Sequence, residues 1–337
     1  KDSLHVSIRH PEWMIPIKNI LLLDPGIPAA RQYIIDVATD IVKRYDVDGL
    51  HYDDYFYPYE GIDNQDAASF TKYGNGLSLN AWREDNINRF VKELGAATLA
   101  LKPLVKYGIS PFGIWRNGVP AGITGLSGAD VTYGNAVVWL ENQWIDYLSP
   151  QLYWRFGGNQ DFEKLANWWK TQMNGRHLDP GISIFRADPS TAGTAALYSP
   201  AEIPNQIYFT RQKNIPGVIM FRAANLSRLN SQGLADSLCN RIYSNPALTP
   251  TMTWKPLEAP GVAKSLHLVP TTNTNNLNWA APVASERQAK VRFYAIYRVQ
   301  AAKEPFWLDA IQDGKNLLAV TGNTQYQDRS IIDGQQY

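Results

Sequence analysis

The sequence predicts an α/β chain: a barrel of the (β/α)8 kind, followed by a small all-β domain. Three observations carry that prediction. Short apolar segments alternate with amphipathic helical stripes from Asp24 to Arg241. Aromatic and polar residues collect just behind the C-terminal end of each predicted strand. Beyond Arg241 the helical stripes stop and short alternating segments take over between prolines. Strand and helix in alternation imply parallel strands joined by crossovers, in either an open doubly wound sheet or a closed barrel. No GxGxxG or P-loop pattern supports the nucleotide-binding form of the open sheet. Placement of chemistry at the C-terminal strand ends is how (β/α)8 barrels build their sites.

Taken in order, Asp24 and Pro25 read as an N-cap and a first-turn proline, with Ile34, Ile35, Ala38, Ile41 and Val42 as the buried stripe of a helix ending near Tyr45. Val47 to Asp53 is a strand running into the aromatic loop Tyr55, Phe56, Tyr57, Pro58, Tyr59. Trp82 to Leu101 is a second helix, stopped by Pro103. Further strands are expected over 106–112, 145–153, 181–185 and 217–221, with helices over 135–142, 162–173 and 201–213 between them. The barrel is thus assigned to residues 1–245, a proline-rich linker (Pro246, Pro250, Pro256, Pro260) to 246–260, and a β-sandwich to 261–337. Its strands are expected at 266–269, 277–279, 291–299 and 317–321.

Composition removes several function classes. The 337 residues hold 32 Lys plus Arg against 31 Asp plus Glu, a net charge of +1, so no chain-wide field draws nucleic acid or an anionic membrane. The one cysteine, Cys239, has no partner for a disulfide or a zinc cluster, and no cofactor signature is present. No apolar run reaches the roughly 18 residues of a membrane helix, and the opening KDSLHVSIRH is no signal peptide. The 11 Trp, 18 Tyr and 11 Phe suit sugar stacking and core packing equally.

The strongest chemical constellation is Asp48-Gly49-Leu50-His51-Tyr52-Asp53-Asp54-Tyr55-Phe56-Tyr57-Pro58-Tyr59. Side chains alternate across a strand, so Gly49, His51 and Asp53 share one face and Leu50 and Tyr52 the other. With the apolar pair against the helices, His51 and Asp53 point into the barrel and Asp53 stands at its rim, with Asp54 beside it. Two carboxylates next to an aromatic loop are the equipment of glycoside hydrolysis, one as nucleophile or base and one as proton donor. Tyr55 and Tyr57 are read as sugar-stacking rings and His51 as a hydrogen-bonding group. His51 and Asp53 also have the spacing of a metal pair, but with five histidines and no second cluster a hydrogen-bonding His51 is the stronger reading.

Two further strand ends add candidates for substrate binding. Ser110 suits the barrel lumen within one strand, with Trp115 and Arg116 beyond its end, and Gln151 and Tyr153 share a face at the end of the next, with Trp154 beside them. Arg222, behind the last strand, is positioned to bind an anionic sugar group or to pair with Asp53. Asp146, at a strand start, reads as structural, and Asp188 as a minor rim carboxylate. No GxSxG pattern points to a serine triad.

The stretches DPGIPAARQYIIDVATDIVKRYDVDGLHYDDYFYPY, WREDNINRFV, KYGISPFGIWRN, WIDYLSPQLYW and GVIMFR, in that order, resemble glycosyl-hydrolase-like family ten over His10 to Arg241. The resemblance implies a (β/α)8 barrel, carbohydrate hydrolysis and an extracytoplasmic bacterial setting, often as a lipoprotein, with peptidoglycan glycan strands among the substrates of some members. The run Gly49 to Asp53 also resembles the strand-four signature of the alpha-amylase superfamily, which makes Asp53 the nucleophile candidate. The family carries about three more strand and helix units upstream, so the barrel reads as lacking its first units and any lipid anchor as lying there. The amylase-type acid is a Glu after the next strand, yet 106–117 contains no carboxylate. The C-terminal part resembles a fibronectin type III sandwich with Trp279, Tyr294 and Tyr297 in its core, and reads as cut short at Gln336-Tyr337.

Three functional readings result. The first is a glycoside hydrolase acting on a polysaccharide or glycan strand through Asp53 and Asp54. The second is a non-catalytic surface protein that binds glycan with the same aromatic loops. The third is a metal-dependent deacetylase or amidase using His51 and Asp53.

Overall fold

A computed structural model of the chain describes residues 2–193, 197–226, 232–256, 258–283, 285, 288, 290–299 and 307–332. The chain forms two compact units, Lys1–Ala235 and Asp236–Tyr337.

The first unit opens with an antiparallel hairpin of β1 (Met14–Ile17) and β2 (Ile20–Leu23). Its working part is parallel: β3 (Gly49–Tyr52), β4 (Lys106–Ile109), β5 (Tyr147–Leu148) and β6 (His177–Leu178) lie in that order, and β7 (Gly181–Ser183) pairs with β8 (Ile219–Phe221). Bridges from Phe112 to Gln151 and from Gln151 to Gly181 extend the pairing past the strand ends. The chain therefore makes one parallel pass through β6 and β7, and the described residues make five such passes in all. The described residues thus supply five strand and helix alternations of the barrel pattern, the number of parallel strands that the sequence reading finds.

Helices cover one side of these strands. The helix Pro28–Arg44 starts a turn later than the sequence suggests: Ile27 is its N-cap and Pro28 sits in its first turn. Asp24 has a different task, since its buried carboxylate accepts hydrogens from Gly26 N at 2.8 Å and Ser69 Oγ at 2.6 Å. The helix Leu79–Leu101 is capped by Ser78 and packs on the first one, where Arg31 Nε meets Glu93 Oε2 at 2.9 Å. Three tryptophans, Trp82, Trp139 and Trp169, are wholly buried, so much of the aromatic excess fills core and not a sugar cleft. Trp139 and Trp169 satisfy their indole N–H groups on Asn88 Oδ1 and Gly113 O, each at 2.8 Å, as buried tryptophans need to.

The second unit holds two antiparallel sheets. One has the order β13 (Gln325–Asp328), β10 (Asn275–Ala280), β9 (Lys264–Pro270), and the other pairs β11 (Tyr294–Tyr297) with β12 (Leu317–Thr321). The rings of Trp279 and Tyr294 meet edge to face at 5.3 Å and tie the sheets together, with Ile296 and Leu317 buried nearby in sequence. Four of these strands lie where alternation predicts them. β13 has the sequence QYQD, whose polar residues hide it.

Candidate active site

Tyr52 turns to the helices, its ring 4.9 Å from that of Phe90, and alternation then sends His51 and Asp53 to the opposite face. There His51 Nδ1 lies 2.9 Å from the Tyr147 hydroxyl and Nε2 lies 2.7 Å from Ser110 Oγ. Desolvation pushes the Tyr147 phenol up to about 12, helped by the charges of Asp179 and Asp146, so it stays protonated and donates to Nδ1. The other ring nitrogen then carries the hydrogen and donates to Ser110. Partial desolvation also holds the His51 imidazole below its usual range, against the charge of Asp53, which keeps the ring neutral at pH 7.

Asp53 is the first residue beyond β3 and is exposed. Its Oδ1 accepts from Gln151 Nε2 at 3.1 Å and from the backbone N–H of Asp54 at 3.0 Å. The same amide nitrogen of Gln151 donates to Ser110 O at 3.1 Å. Three neighbouring parallel passes, through β3, β4 and β5, thus meet at one carboxylate.

Asp54 has the opposite surroundings, with 2% of its surface exposed. Burial pushes its carboxyl up to about 6, against the hydrogen bond from the Tyr59 hydroxyl to Oδ2 and with further help from the charge of Asp53 and a hydrogen bond to it. Of the two adjacent carboxyls, it is the enclosed Asp54 whose protonated form burial favours. Asp54 is accordingly no freely turning rim carboxylate, as the sequence suggests; it is fixed by Tyr59.

A series of rings runs along the strand ends from this pair. Tyr55, 70% exposed, stands edge-on to Tyr59 at 6.3 Å; Tyr59 meets Phe112 at 5.8 Å, and Phe112 meets Trp154 at 5.7 Å. Tyr153 stacks on Phe221 at 5.8 Å, and its phenol is pushed up by burial and by the charges of Asp53 and Asp54. The loop bearing Asp54 and Tyr59 is anchored further along by buried Arg83, which forks onto Asp66 at 2.7 Å through both Nε and Nη2 and also holds the carbonyls of Ile62 and Asp63.

The structure therefore brings together His51, Asp53, Asp54, Ser110, Gln151 and Tyr153, with Tyr55 and Trp154 on the ring series. Tyr57 is corrected from a sugar-stacking ring to a core residue: it has no exposed surface and packs edge-to-face on Tyr133 at 5.1 Å. Trp115 and Arg116 are engaged with each other, their guanidinium and ring 4.5 Å apart, and with Trp168, Asn135 and Asp130. Among the described residues, no hydrogen bond, ion pair or ring contact links them to the Asp53 group. Arg222 is exposed behind β8 and forms no ion pair with Asp53 among the described residues. Asp188 caps a short helix through Ser190 and takes a hydrogen bond from Asn225 at 2.9 Å, so it is structural and not a rim acid. Asp146 holds Tyr107 N at 2.8 Å. Sequence reading missed Tyr147, although it shares strand parity with Gln151 and Tyr153. Its second signal is Gly108, where a Cβ would stand 2.1 Å from the Tyr147 ring. Asp179, pushed up to about 6 by desolvation against the pull of Lys106, was also missed.

The family model described as glycosyl hydrolase-like 10 matches residues 2–183. The chain belongs to the glycosyl hydrolase-like 10 family. The chain is 35% identical over 317 residues to the glycosyl hydrolase YngK of Bacillus subtilis (strain 168), covering 89% of this chain and 61% of the relative. It is 29% identical over 254 residues to the glycosyl hydrolase DigH of Escherichia coli (strain K12), covering 70% of this chain and 57% of the relative. The chain thus spans less than two thirds of the length of either relative. Solved structures give distant likenesses. Bee venom hyaluronidase in complex with a hyaluronic acid tetramer aligns with a TM-score of 0.43 at 11% identity, over 68% of this chain and 80% of that one. The PgaB (BpsB) glycoside hydrolase domain from Bordetella bronchiseptica aligns with a TM-score of 0.44 at 12% identity, over 64% and 62%.

Proposed function

We propose that this chain carries the catalytic carboxylates of a glycoside hydrolase that cuts a polysaccharide or glycan strand, with Asp53 as nucleophile or base and Asp54 as the protonated partner. The observation that carries the reading is the contrast between the two. Asp53 is exposed and held by two donors at a strand end, whereas Asp54 is enclosed, with its carboxyl up at about 6. A carboxyl raised by burial beside one in a different, open environment is what an acid and base assignment needs. Family membership and the ring series from Tyr55 to Trp154 support it. Gln151 and Tyr153 orient Asp53 and substrate, and neutral His51 fixes Ser110 at the inner wall. Arg222, Trp115 and Arg116 belong to the proposal as binding residues on other parts of the same rim. The setting proposed is extracytoplasmic, and among the described residues no helix is long and apolar enough to cross a membrane. The second unit is proposed to be an accessory β-sandwich of the fibronectin type III kind, supported by its two sheets and the Trp279 to Tyr294 contact.

One observation favours the second reading, a protein that binds glycan without cutting it. Asp54 presents its Oδ2 to Tyr59 and almost none of its surface to solvent, so a proton leaving it has to pass through Tyr59 or Asp53. The test is product analysis by mass spectrometry, with the full-length gene product on peptidoglycan glycan strands and a panel of plant and host polysaccharides. Released oligosaccharides are the expected result and name the substrate class. Binding without release across the panel replaces the hydrolase reading with the binding one.

A further inference from the structure

Next to the ring series, on the loops that follow β5 and β7, lies a cleft of about 280 Å³ whose wall includes Trp154, Arg155, Asn159, Gln160, Arg186 and Tyr198. Its floor is bare backbone: Gly157 and Gly158 stand at φ 78° and 77° with nothing within 4 Å of where a side chain would begin. Among the described residues no carboxylate lines it. Arg186 lies over the rings of Phe185 and Tyr198, at 5.8 and 5.9 Å, and its buried Nε has no hydrogen-bond partner among the described residues. Neither Arg155 nor Arg186 forms an ion pair among the described residues. Glu202, whose charge reaches Tyr198, is occupied: its Oε1 accepts from Phe156 N at 2.9 Å and Gln206 Nε2 at 3.0 Å. The cleft therefore combines a large indole, two cations, two side-chain amides and no competing negative charge.

We infer that this cleft is a subsite for a sugar unit bearing a carboxylate, held by Arg155 and Arg186 while Trp154 packs on the ring. Guanidinium groups pair with carboxylates through two parallel hydrogen bonds. Uncharged sugars gain the indole and amide contacts but leave the two guanidinium charges unpaired. Trp154 also touches Phe112, and Phe112 touches Tyr59, so the subsite continues the path that ends at Asp54. The inference deepens the proposed function by naming an acidic glycan as its substrate class, and the carboxylate can be that of a uronic acid or an ether-linked one such as muramic acid carries.

Calorimetric titration of the full-length gene product tests it with three probes: tetragalacturonate, a GlcNAc–MurNAc disaccharide and neutral chitotetraose. Expected is tighter binding of at least one acidic probe than of chitotetraose. For that probe, affinity falls about tenfold or more in Arg186→Gln and by a smaller factor in Arg155→Gln, whose side chain is exposed, with chitotetraose unchanged. The tighter acidic probe names the source of the carboxylate. The inference is overturned if neither acidic probe binds more tightly than chitotetraose, or if both variants keep wild-type affinity for the acidic probe. Because the readout is binding, a protein that holds the acidic probe through these arginines but cuts nothing keeps this inference and ends the hydrolase reading. One that cuts only neutral glycan does the reverse.

Discussion

Gln151 holds Asp53 from across the sheet: its Nε2 stands 3.1 Å from Asp53 Oδ1 and 3.1 Å from the carbonyl of Ser110, bracing the carboxylate against the neighbouring strand. Gln151→Glu keeps the shape, removes both donations and sets a second negative charge beside Asp53. Activity is expected to fall about tenfold or more, and the acid limb of the pH profile to move upward, because a like charge disfavours ionisation of Asp53. An unchanged pH profile contradicts the contact.

Asp54 makes a stability prediction with a definite sign. Its folded carboxyl is raised from 3.8 to about 6, so between those values the native state binds more protons than the unfolded one, and stability falls as pH rises through the window. Asp24 and Asp179, also raised by burial, add the same sign. Asp54→Asn keeps an acceptor for Tyr59 and removes the buried charge. It is expected to stabilise the protein at pH 8 relative to pH 4 by on the order of 2–3 kcal/mol, measured by urea unfolding at both values. In the active enzyme the same carboxyl predicts an alkaline limb near pH 6 that disappears in the variant.

Gly108 is required by Tyr147. A Cβ there would lie 2.1 Å from the Tyr147 ring, so Gly108→Ala must displace the phenol and break its contact with His51 Nδ1. The expected cost is roughly 1–3 kcal/mol of unfolding free energy. The His51 ring, no longer held by a donor at Nδ1, is expected to show a mixture of tautomers by nitrogen NMR. Tyr147→Phe, which spares the packing, separates the two effects: it changes the tautomer ratio with a smaller loss of stability.

The buried Arg83 and Asp66 pair fixes the loop behind the carboxylates. Asp66→Ala leaves the guanidinium enclosed without its partner and is expected to cost about 3–5 kcal/mol. Protease cleavage of the native protein at 54–66 then becomes faster than in the wild type. A cost below 1 kcal/mol contradicts the anchoring role.

Much of this site is legible in the sequence because strand parity is a strong local rule. Once 47–53 is read as a strand, the faces of His51, Tyr52 and Asp53 follow, and Gln151 and Tyr153 fall on the same face of a later one. Distances between strands are not local, and the errors arise there. Nothing in DDYFYPY tells that Tyr57 turns inward to Tyr133 while Tyr55 stays in solvent, because Tyr133 comes from a segment far along the chain. The partners of Trp115 and Arg116 are hidden for the same reason: Trp168 and Asp130, which engage them, come from later segments. Asp24 and Pro25 carry a sound helix-start signal, overridden when Ser69 claims the Asp24 carboxylate.

The most direct test of the account is the rate of glycan cleavage by Asp53→Asn in the full-length gene product, measured beside wild type on whichever substrate the panel reveals. The amide keeps the shape and an oxygen for Gln151, and removes the charge. The account predicts glycan binding within a few-fold of wild type and a cleavage rate lower by roughly 100-fold to 10,000-fold. Cleavage within a few-fold of wild type would place the chemistry on another residue and contradict the central claim.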